Sequence, residues 1–178
     1  RRMSMARGAA ENAVVLLKNL GYPTEAYDLH LNFPGGAPVD GPSAGVAMAI
    51  AMASALANVP VACDIAVTGE ISARGRVLPV GGVRAKARAA AKAGLERLIL
   101  PAANAAEALD APIRACPVSN IKEVFALAMG EAALDAPSQE MAEPFFSQAR
   151  VPAQKKIAAH AAEEGGAPSE GKEDGVPI

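Results

Sequence analysis

The chain has few aromatic residues and no long apolar run. Only 3% of its 178 residues are aromatic and tryptophan is absent, although 51% of the residues are hydrophobic. Its core must therefore be built mainly from alanine, valine, leucine and isoleucine. No run of about 18 uninterrupted apolar residues occurs, so the sequence predicts no membrane-spanning helix. The length suggests one domain with a tail.

A strong charge bias and paired cysteines are also missing. The formal net charge is -2, which gives no electrostatic reason to expect a nucleic-acid partner. Cys63 and Cys116 are far apart and belong to no C-x-x-C motif, so we interpret them as buried thiols in a reducing compartment. The first residues lack the apolar region of a secretory signal. Because the chain opens without methionine, we expect it to be a fragment of a longer protein.

Apolar periodicity predicts alternating helices and strands, and therefore an α/β or α+β domain with helices packed on a sheet. The predicted helices cover residues 4–20, 42–57, 82–93, 102–109 and 120–129. The predicted strands cover residues 26–33, 64–71, 76–80, 97–100 and 113–118. After about residue 134 the composition shifts, and the last residues are rich in glycine, proline, serine, glutamate and lysine. We therefore divide the chain into a domain at 1–130 and a largely irregular or disordered extension at 131–178.

One short segment, Asp40-Gly41-Pro42-Ser43-Ala44-Gly45, predicts the start of a buried helix. Asp40 or Gly41 could cap this helix, and Pro42 suits its first turn. Ser43 then lies where backbone N–H groups have no intrahelical partner, and such donors favour a developing oxyanion. The alternative is that Ser43 is an ordinary capping residue.

The same segment fits G-x-S-x-G, the nucleophile elbow of α/β-hydrolases. That elbow follows a buried strand and needs a later carboxylate and histidine. Here it follows a glycine- and proline-rich loop at 34–38, and His160 in the polar C-terminal region is the only downstream histidine. A Ser-His-Asp esterase therefore lacks its expected context.

Lys86 falls on the apolar face of its predicted helix, with Val83 and Ala90, and away from the solvated stripe of Arg84 and Arg88. A desolvated lysine gives up its proton more easily and can then act as a general base. Alternatively, the aliphatic stem covers neighbouring alanines while the ammonium reaches water. The periodicity leaves both interpretations open.

Four blocks in a fixed order together resemble one known family: residues 40–45, 67–72, 74–83, and Lys86 followed by Ala93-Gly94. They resemble the proteolytic domain of the ATP-dependent Lon proteases over roughly residues 4–130. The resemblance implies the Lon-protease-domain fold, an α/β fold of α+β type with helices on a mixed β-sheet. The wording Asn-Phe-Pro-Gly-Gly, from Asn32, is most like the bacterial B-type branch.

The resemblance implies a serine endopeptidase with a Ser–Lys dyad. Ser43 matches the nucleophile, Lys86 the general base, and Thr68 a threonine that orients the lysine. Asp40 and Gly41 match the loop that gates the site. Backbone N–H groups at residues 40–44, Ala44 included, would hold the oxyanion.

The resemblance also implies a substrate-binding segment, Leu29-His30-Leu31-Asn32-Phe33, along which an extended substrate pairs by strand addition. His30 matches a family histidine, and Asn32 occupies the position where many members have a second one. This difference favours a structural role for His30, which would point to solvent or be hydrogen-bonded.

The family's ATPase module is absent from this sequence, and we expect no cofactor or metal in this chain, with ATP and Mg²⁺ bound on that module. Residues 166–172 fit G-x-x-x-x-G-K, but Glu173 replaces the serine or threonine that would bind Mg²⁺, and the strand–helix scaffold is missing. By resemblance, we expect unfolded or misfolded protein substrates, a ring of six subunits and the bacterial cytoplasm, with no nucleic-acid or membrane partner. The competing hypothesis is an inactive assembly or peptide-binding module of the same fold. The retained Ser43, Thr68 and Lys86 argue against it.

Overall fold

The computed structural model describes residues 4–33 and 40–130. The predicted loop at 34–38, the extension at 131–178 with its phosphate-loop-like motif, and His160 lie outside the described residues, and the boundary near residue 130 stays a prediction. The described α-helices are α1 (Met5–Asn19), α2 (Gly45–Ala57), α3 (Val83–Lys92) and α4 (Ile121–Met129). The described strands are β1 (Ile65–Val67), β2 (Glu70–Ile71), β3 (Val77–Leu78), β4 (Arg97–Pro101) and β5 (Arg114–Val118).

The strands form two sheets. Parallel β1, β4 and β5 lie in the order β1-β4-β5, and β2 pairs with β3 antiparallel. Leu98, Ile99 and Leu100 of β4 are buried, as expected for the central strand of a parallel sheet. The structure confirms the predicted fold class, with helices packed on parallel and antiparallel strands.

The helices α1 and α2 pack against each other. Ala9 and Ala13 of α1 and Ala49 and Ala53 of α2 are all buried in the same hydrophobic core. The helix α2 is buried along most of its length, as its nearly all-apolar sequence predicts. A second, smaller group of buried residues lies under α3 and consists of Val83, Ala87, Leu98, Leu100 and Ala108. None of the described helices has the length and apolarity needed to cross a membrane.

The predicted strand at 26–33 is wrong. A 3-10 helix occupies Thr24–Ala26, and residues 28–33 pair with no strand in the described part of the chain. Leu29 and Leu31 are half-buried, whereas Tyr27 and Phe33 are 39% and 44% exposed. The alternating pattern therefore predicts correctly that the side chains of Leu29 and Leu31 are directed inward. A strand also needs a second strand to pair with, and a local sequence pattern does not show whether one is present.

Long-range contacts explain the other differences from prediction. The predicted strand 64–71 breaks into β1 and β2 at Gly69, whose φ is +159°. The predicted strand 76–80 ends at Leu78, because the backbone of Val80 pairs with a side chain instead of a strand. The predicted helix 42–57 begins as a 3-10 turn at Pro42–Ala44, and the one predicted at 102–109 is a 3-10 helix at Ala102–Ala108.

A paired charge fixes the start of the parallel sheet. The Arg97 guanidinium donates to both carboxylate oxygens of Asp64 at 2.7 Å and to the carbonyl oxygen of Leu127 at 3.3 Å. This hydrogen-bonded guanidinium lowers the pKa of Asp64 below its ordinary value. The pair joins the residue before β1 to the first residue of β4.

Replacement of Asp64 by asparagine should reduce the dependence of stability on acid pH. Because the pKa of Asp64 is lower in the folded than in the unfolded chain, its contribution is present above the unfolded pKa and is lost as pH falls through the folded pKa. We expect the urea midpoint of Asp64→Asn to lie below that of the wild type at neutral pH, and the two to converge in acid. Midpoints measured across this pH range that stay a constant distance apart would contradict this role.

Candidate active site

Ser43 lies in the 3-10 turn Pro42–Ala44, which leads into α2 and is called the serine turn below. The backbone of Gly69 is hydrogen-bonded to this turn. The Gly69 N–H donates to the carbonyl oxygen of Ser43 at 2.9 Å, and the Val46 N–H donates to that of Gly69 at 3.1 Å. A Cβ at position 69 would lie 2.8 Å from Cγ2 of Val46, and the positive φ also disfavours any other residue. The glycine therefore lets the chain that follows β1 approach the serine.

Thr68 connects three parts of the fold. It is only 5% exposed, and its N–H donates to the carbonyl oxygen of Ile99 in β4 at 3.0 Å. Its Oγ1 donates to the carbonyl oxygen of Ser43 at 3.4 Å and accepts from Nζ of Lys86 at 3.2 Å. One buried hydroxyl thus joins the serine turn to the lysine.

The half-buried Lys86 lies in the first turn of α3, on the side of the helix that packs against the domain. Val83, Ala87 and Ala90 on that side are buried, as the periodicity predicts. Of the two interpretations left open above, the structure favours a lysine that is directed inward, because Nζ donates to Thr68.

The Ser43 hydroxyl does not cap a helix. Neither the 3-10 turn nor α2 has a side-chain capping bond, and the N-cap of α2 is Ala44, so the capping interpretation is wrong. Within residues 4–33 and 40–130, no hydrogen bond joins Oγ of Ser43 to Nζ of Lys86; the two residues are linked through Thr68. The hydroxyl is therefore not committed to a structural bond with a described residue.

A cavity of about 400 Å³ brings the central residues together. Its polar side chains are those of Ser43, Thr68 and Lys86, and its apolar walls come from α2, β1, α3 and the start of β4. The apolar wall residues are Ala44, Ala47, Ala66, Val67, Ala89, Ala90, Leu95 and Leu98. Five of these eight are alanines, and such small side chains leave room beside the serine.

Asp40, predicted to cap its own helix or help gate the site, has a different contact. Its Oδ1 accepts from the N–H of Ala6 at 3.1 Å, in the first turn of α1. Asp40 is therefore not the cap of the helix that follows it; the N-cap of the 3-10 turn is Gly41, the other residue predicted for that position, and no side-chain bond caps the turn. Gly41 is the residue between this contact and the serine turn.

The predicted substrate-binding residues do not line the cavity of Ser43. Leu29 and Leu31 line a second cavity, of about 410 Å³, together with residues of α1 and Met52 of α2. His30, Asn32 and Phe33 are exposed. Of the predicted site residues, the structure thus brings Ser43, Ala44, Thr68 and Lys86 into one cavity and leaves residues 29–33 outside it.

Sequence reasoning missed the buried polar residue Asn104, whose side chain bonds to the backbone of Val80, three residues before α3. It is a single polar residue between two alanine pairs in the predicted helix 102–109, and that isolation is the signal that could have revealed it. The described residues contain no group of three or more histidine, cysteine, aspartate or glutamate side chains placed to bind a metal ion.

Comparison with known proteins gives a consistent result. The model of the Lon protease (S16) C-terminal proteolytic domain matches residues 4–131. Lon protease 2 of Bacillus subtilis is 46% identical over 104 residues, which are 58% of this chain and 19% of that protein. Lon protease of Trichlorobacter lovleyi is 42% identical over 139 residues, which are 74% of this chain and 17% of that protein. Lon protease 1 of Thermus thermophilus is 60% identical over 87 residues, which are 48% of this chain and 11% of that protein.

This chain therefore spans less than a fifth of the length of these relatives. Assignment to the B-type branch stays a prediction. The family match covers every described residue and includes the cavity of Ser43, Thr68 and Lys86. The chain belongs to the Lon protease family and corresponds to its C-terminal proteolytic domain.

Proposed function

We propose that this chain is a serine endopeptidase domain in which Ser43 is the nucleophile and Lys86 the general base. Membership of a protease family supports the reaction class. The observation that carries the proposal is the hydrogen bond from Nζ of Lys86 to Oγ1 of Thr68, in the cavity that also contains Ser43. A lysine directed into a mostly apolar cavity beside a serine fits a Ser–Lys pair.

In the proposed reaction, the neutral amine of Lys86 takes the proton of Ser43 as Oγ attacks the peptide carbonyl. The resulting ammonium then protonates the leaving amine, and water hydrolyses the acyl-enzyme. Proton transfer requires Nζ to come within hydrogen-bond reach of Oγ, and catalytic bonds often form only in the substrate complex. The bond to Thr68 would hold Nζ close to the serine turn until then.

The negative charge that develops on the carbonyl oxygen would be stabilised at the start of α2. Backbone N–H groups in the first turn of a helix have no partner one turn earlier, and the helix dipole adds partial positive charge there. In α2, a 13-residue helix, the N–H groups of Gly45 and Val46 already donate to the carbonyl oxygens of Pro42 and Gly69. Ser43 lies two residues before the first residue of α2. We therefore assign the oxyanion site to the backbone near Ser43 and Ala44.

We further propose that the longer protein degrades unfolded or misfolded polypeptides in the bacterial cytoplasm as a six-subunit ring driven by ATP and Mg²⁺ on another module. An extended substrate would pair with residues 29–33. Strand addition is supported by the backbone of residues 29–33, which pairs with no strand among the described residues.

An inactive module of the same fold is the second candidate. The observation that favours it is the lack of a direct hydrogen bond between the side chains of Ser43 and Lys86 in the described part of the chain. A fluorophosphonate probe separates the candidates, because it reacts only with an activated serine. Labelling at Ser43, located by mass spectrometry, supports the peptidase, and unlabelled protein supports the inactive module.

Cleavage of unstructured casein by the 178-residue chain tests the dyad. Ser43→Ala and Lys86→Ala should each reduce the rate roughly 10³-fold or more, since nucleophile and base act as a unit. Lys92→Ala is the matched control, because this exposed lysine lies on the same helix at its last turn. Lys86→Ala that cleaves casein at the wild-type rate would exclude Lys86 as the base.

Thr68→Val should lower kcat/KM for a short peptide about 10- to 100-fold, because it keeps the side-chain shape but removes the hydroxyl that holds Nζ of Lys86. Thr68→Ser should keep most of the activity. Thr24→Val is the control, since Thr24 is also buried but lies in the 3-10 helix after α1. Equal losses in Thr68→Val and Thr24→Val would mean that Thr68 has no specific role.

A further inference from the structure

Asn104 is a buried asparagine whose side chain pairs with a backbone. It lies in the 3-10 helix Ala102–Ala108 and is only 5% exposed. Its Oδ1 accepts from the Val80 N–H at 2.9 Å, and its Nδ2 donates to the Val80 carbonyl oxygen at 3.0 Å. Nδ2 also donates to Oε1 of Glu107 at 2.6 Å. The amide thus takes the place of a neighbouring strand for this one residue.

Val80, whose backbone N–H and carbonyl group are both bonded to Asn104, lies three residues before the first residue of α3, the helix that carries Lys86. Two glycines follow it, and a Cβ at either would meet no atom within 4 Å, so neither is packed against the fold. The N-cap of α3 is Gly82, with φ of +72°, no side-chain capping bond and no acidic residue in the first turn. Two features therefore fix the position where α3 starts: the bonds between Asn104 and Val80 before the helix, and the buried side chain of Val83 at its first residue.

This arrangement leads directly to Lys86. The Lys86 N–H donates to the carbonyl oxygen of Gly82 at 3.1 Å, in the first turn of α3. The partner of its Nζ, Thr68, is held by Ile99 of β4, and Asn104 lies in the 3-10 helix that directly follows β4. The stretch formed by β4 and the 3-10 helix after it therefore fixes both partners of the Lys86–Thr68 hydrogen bond: Ile99 fixes Thr68, and Asn104 fixes the start of the helix that carries Lys86.

We propose that Asn104 is a positioning residue for Lys86: its pairing with Val80 fixes the start of α3 and so keeps Nζ at Thr68 and within reach of Ser43. Asn104 does not line the cavity and contacts no reacting atom. The proposal rests on the proposed dyad of Ser43 and Lys86.

Peptide hydrolysis by Asn104→Ala in the 178-residue chain tests this role. Without the two bonds to Val80, the position of Lys86 should vary, and we expect kcat to fall about 10- to 100-fold with little change in KM. The pH profile of kcat/KM should also shift, because it reports the ionisation of the base. An exclusively structural asparagine would lower the urea midpoint but leave kcat per folded molecule and the pH profile unchanged.

Two control variants separate position from stability. Val124→Ala removes a buried side chain from α4 and should lower the urea midpoint without changing kcat. Asn12→Ala removes another side chain–backbone bond, to Ile71, and should leave both values close to wild type. If Asn104→Ala behaves like Val124→Ala, the positioning role is overturned.

A third variant keeps the test decisive if Asn104→Ala does not fold. Asn104→Asp keeps the size of the side chain and the acceptor for the Val80 N–H but loses the donor to the Val80 carbonyl oxygen, and Glu107→Gln in the same chain avoids two adjacent carboxylates. A lower kcat at unchanged KM supports the proposal, and wild-type kcat with a wild-type pH profile overturns it. If Ser43→Ala or Lys86→Ala retains wild-type activity, the dyad itself fails. If both are inactive while Asn104→Ala and the double variant Asn104→Asp with Glu107→Gln match the wild type, only the positioning role fails.

Discussion

The hydrogen bonds that Gly69 and Thr68 donate to the carbonyl oxygen of Ser43 are the contacts on which the site depends. They attach the turn before α2 to the end of β1, and α2 is buried along most of its length. Thr68 then uses the same hydroxyl to accept from Lys86, so the serine turn and α3 have one common partner. A shift of this junction would separate Ser43 from Lys86 without any change in either side chain.

The β4 strand fixes the position of this junction through its hydrogen bonds. It is central in the parallel sheet, its Ile99 accepts from Thr68, and its first residue, Arg97, is paired with Asp64. The residues after it bring Asn104 to Val80. Alanine walls from the surrounding elements then leave a cavity of about 400 Å³ open beside Ser43, where larger residues would fill the space.

Local patterns were enough to predict the four α-helices and to place Lys86 on the packed face of α3, because apolar periodicity depends on neighbours in the sequence. They left open whether the ammonium of Lys86 is directed inward or reaches water. The resemblance added the connection between Ser43, Thr68 and Lys86, which are far apart in the chain. Contacts between distant residues could not be predicted: Asp40 accepts from the N–H of Ala6 in α1, Asn104 pairs with Val80, and residues 28–33 have no described strand beside them. Each of these depends on which backbone groups meet after folding, and one sequence carries no direct record of that.

The most direct test of the Ser43–Lys86 assignment is a crystal structure of the chain with a peptidyl boronate bound. The assignment predicts a covalent bond from boron to Oγ of Ser43, with Nζ of Lys86 within about 3 Å of that oxygen and still bonded to Thr68. Backbone N–H groups near Ser43 and Ala44 should donate to a boronate oxygen. A boronate attached to another residue, or an adduct on Ser43 with Nζ directed away from Oγ, would contradict it.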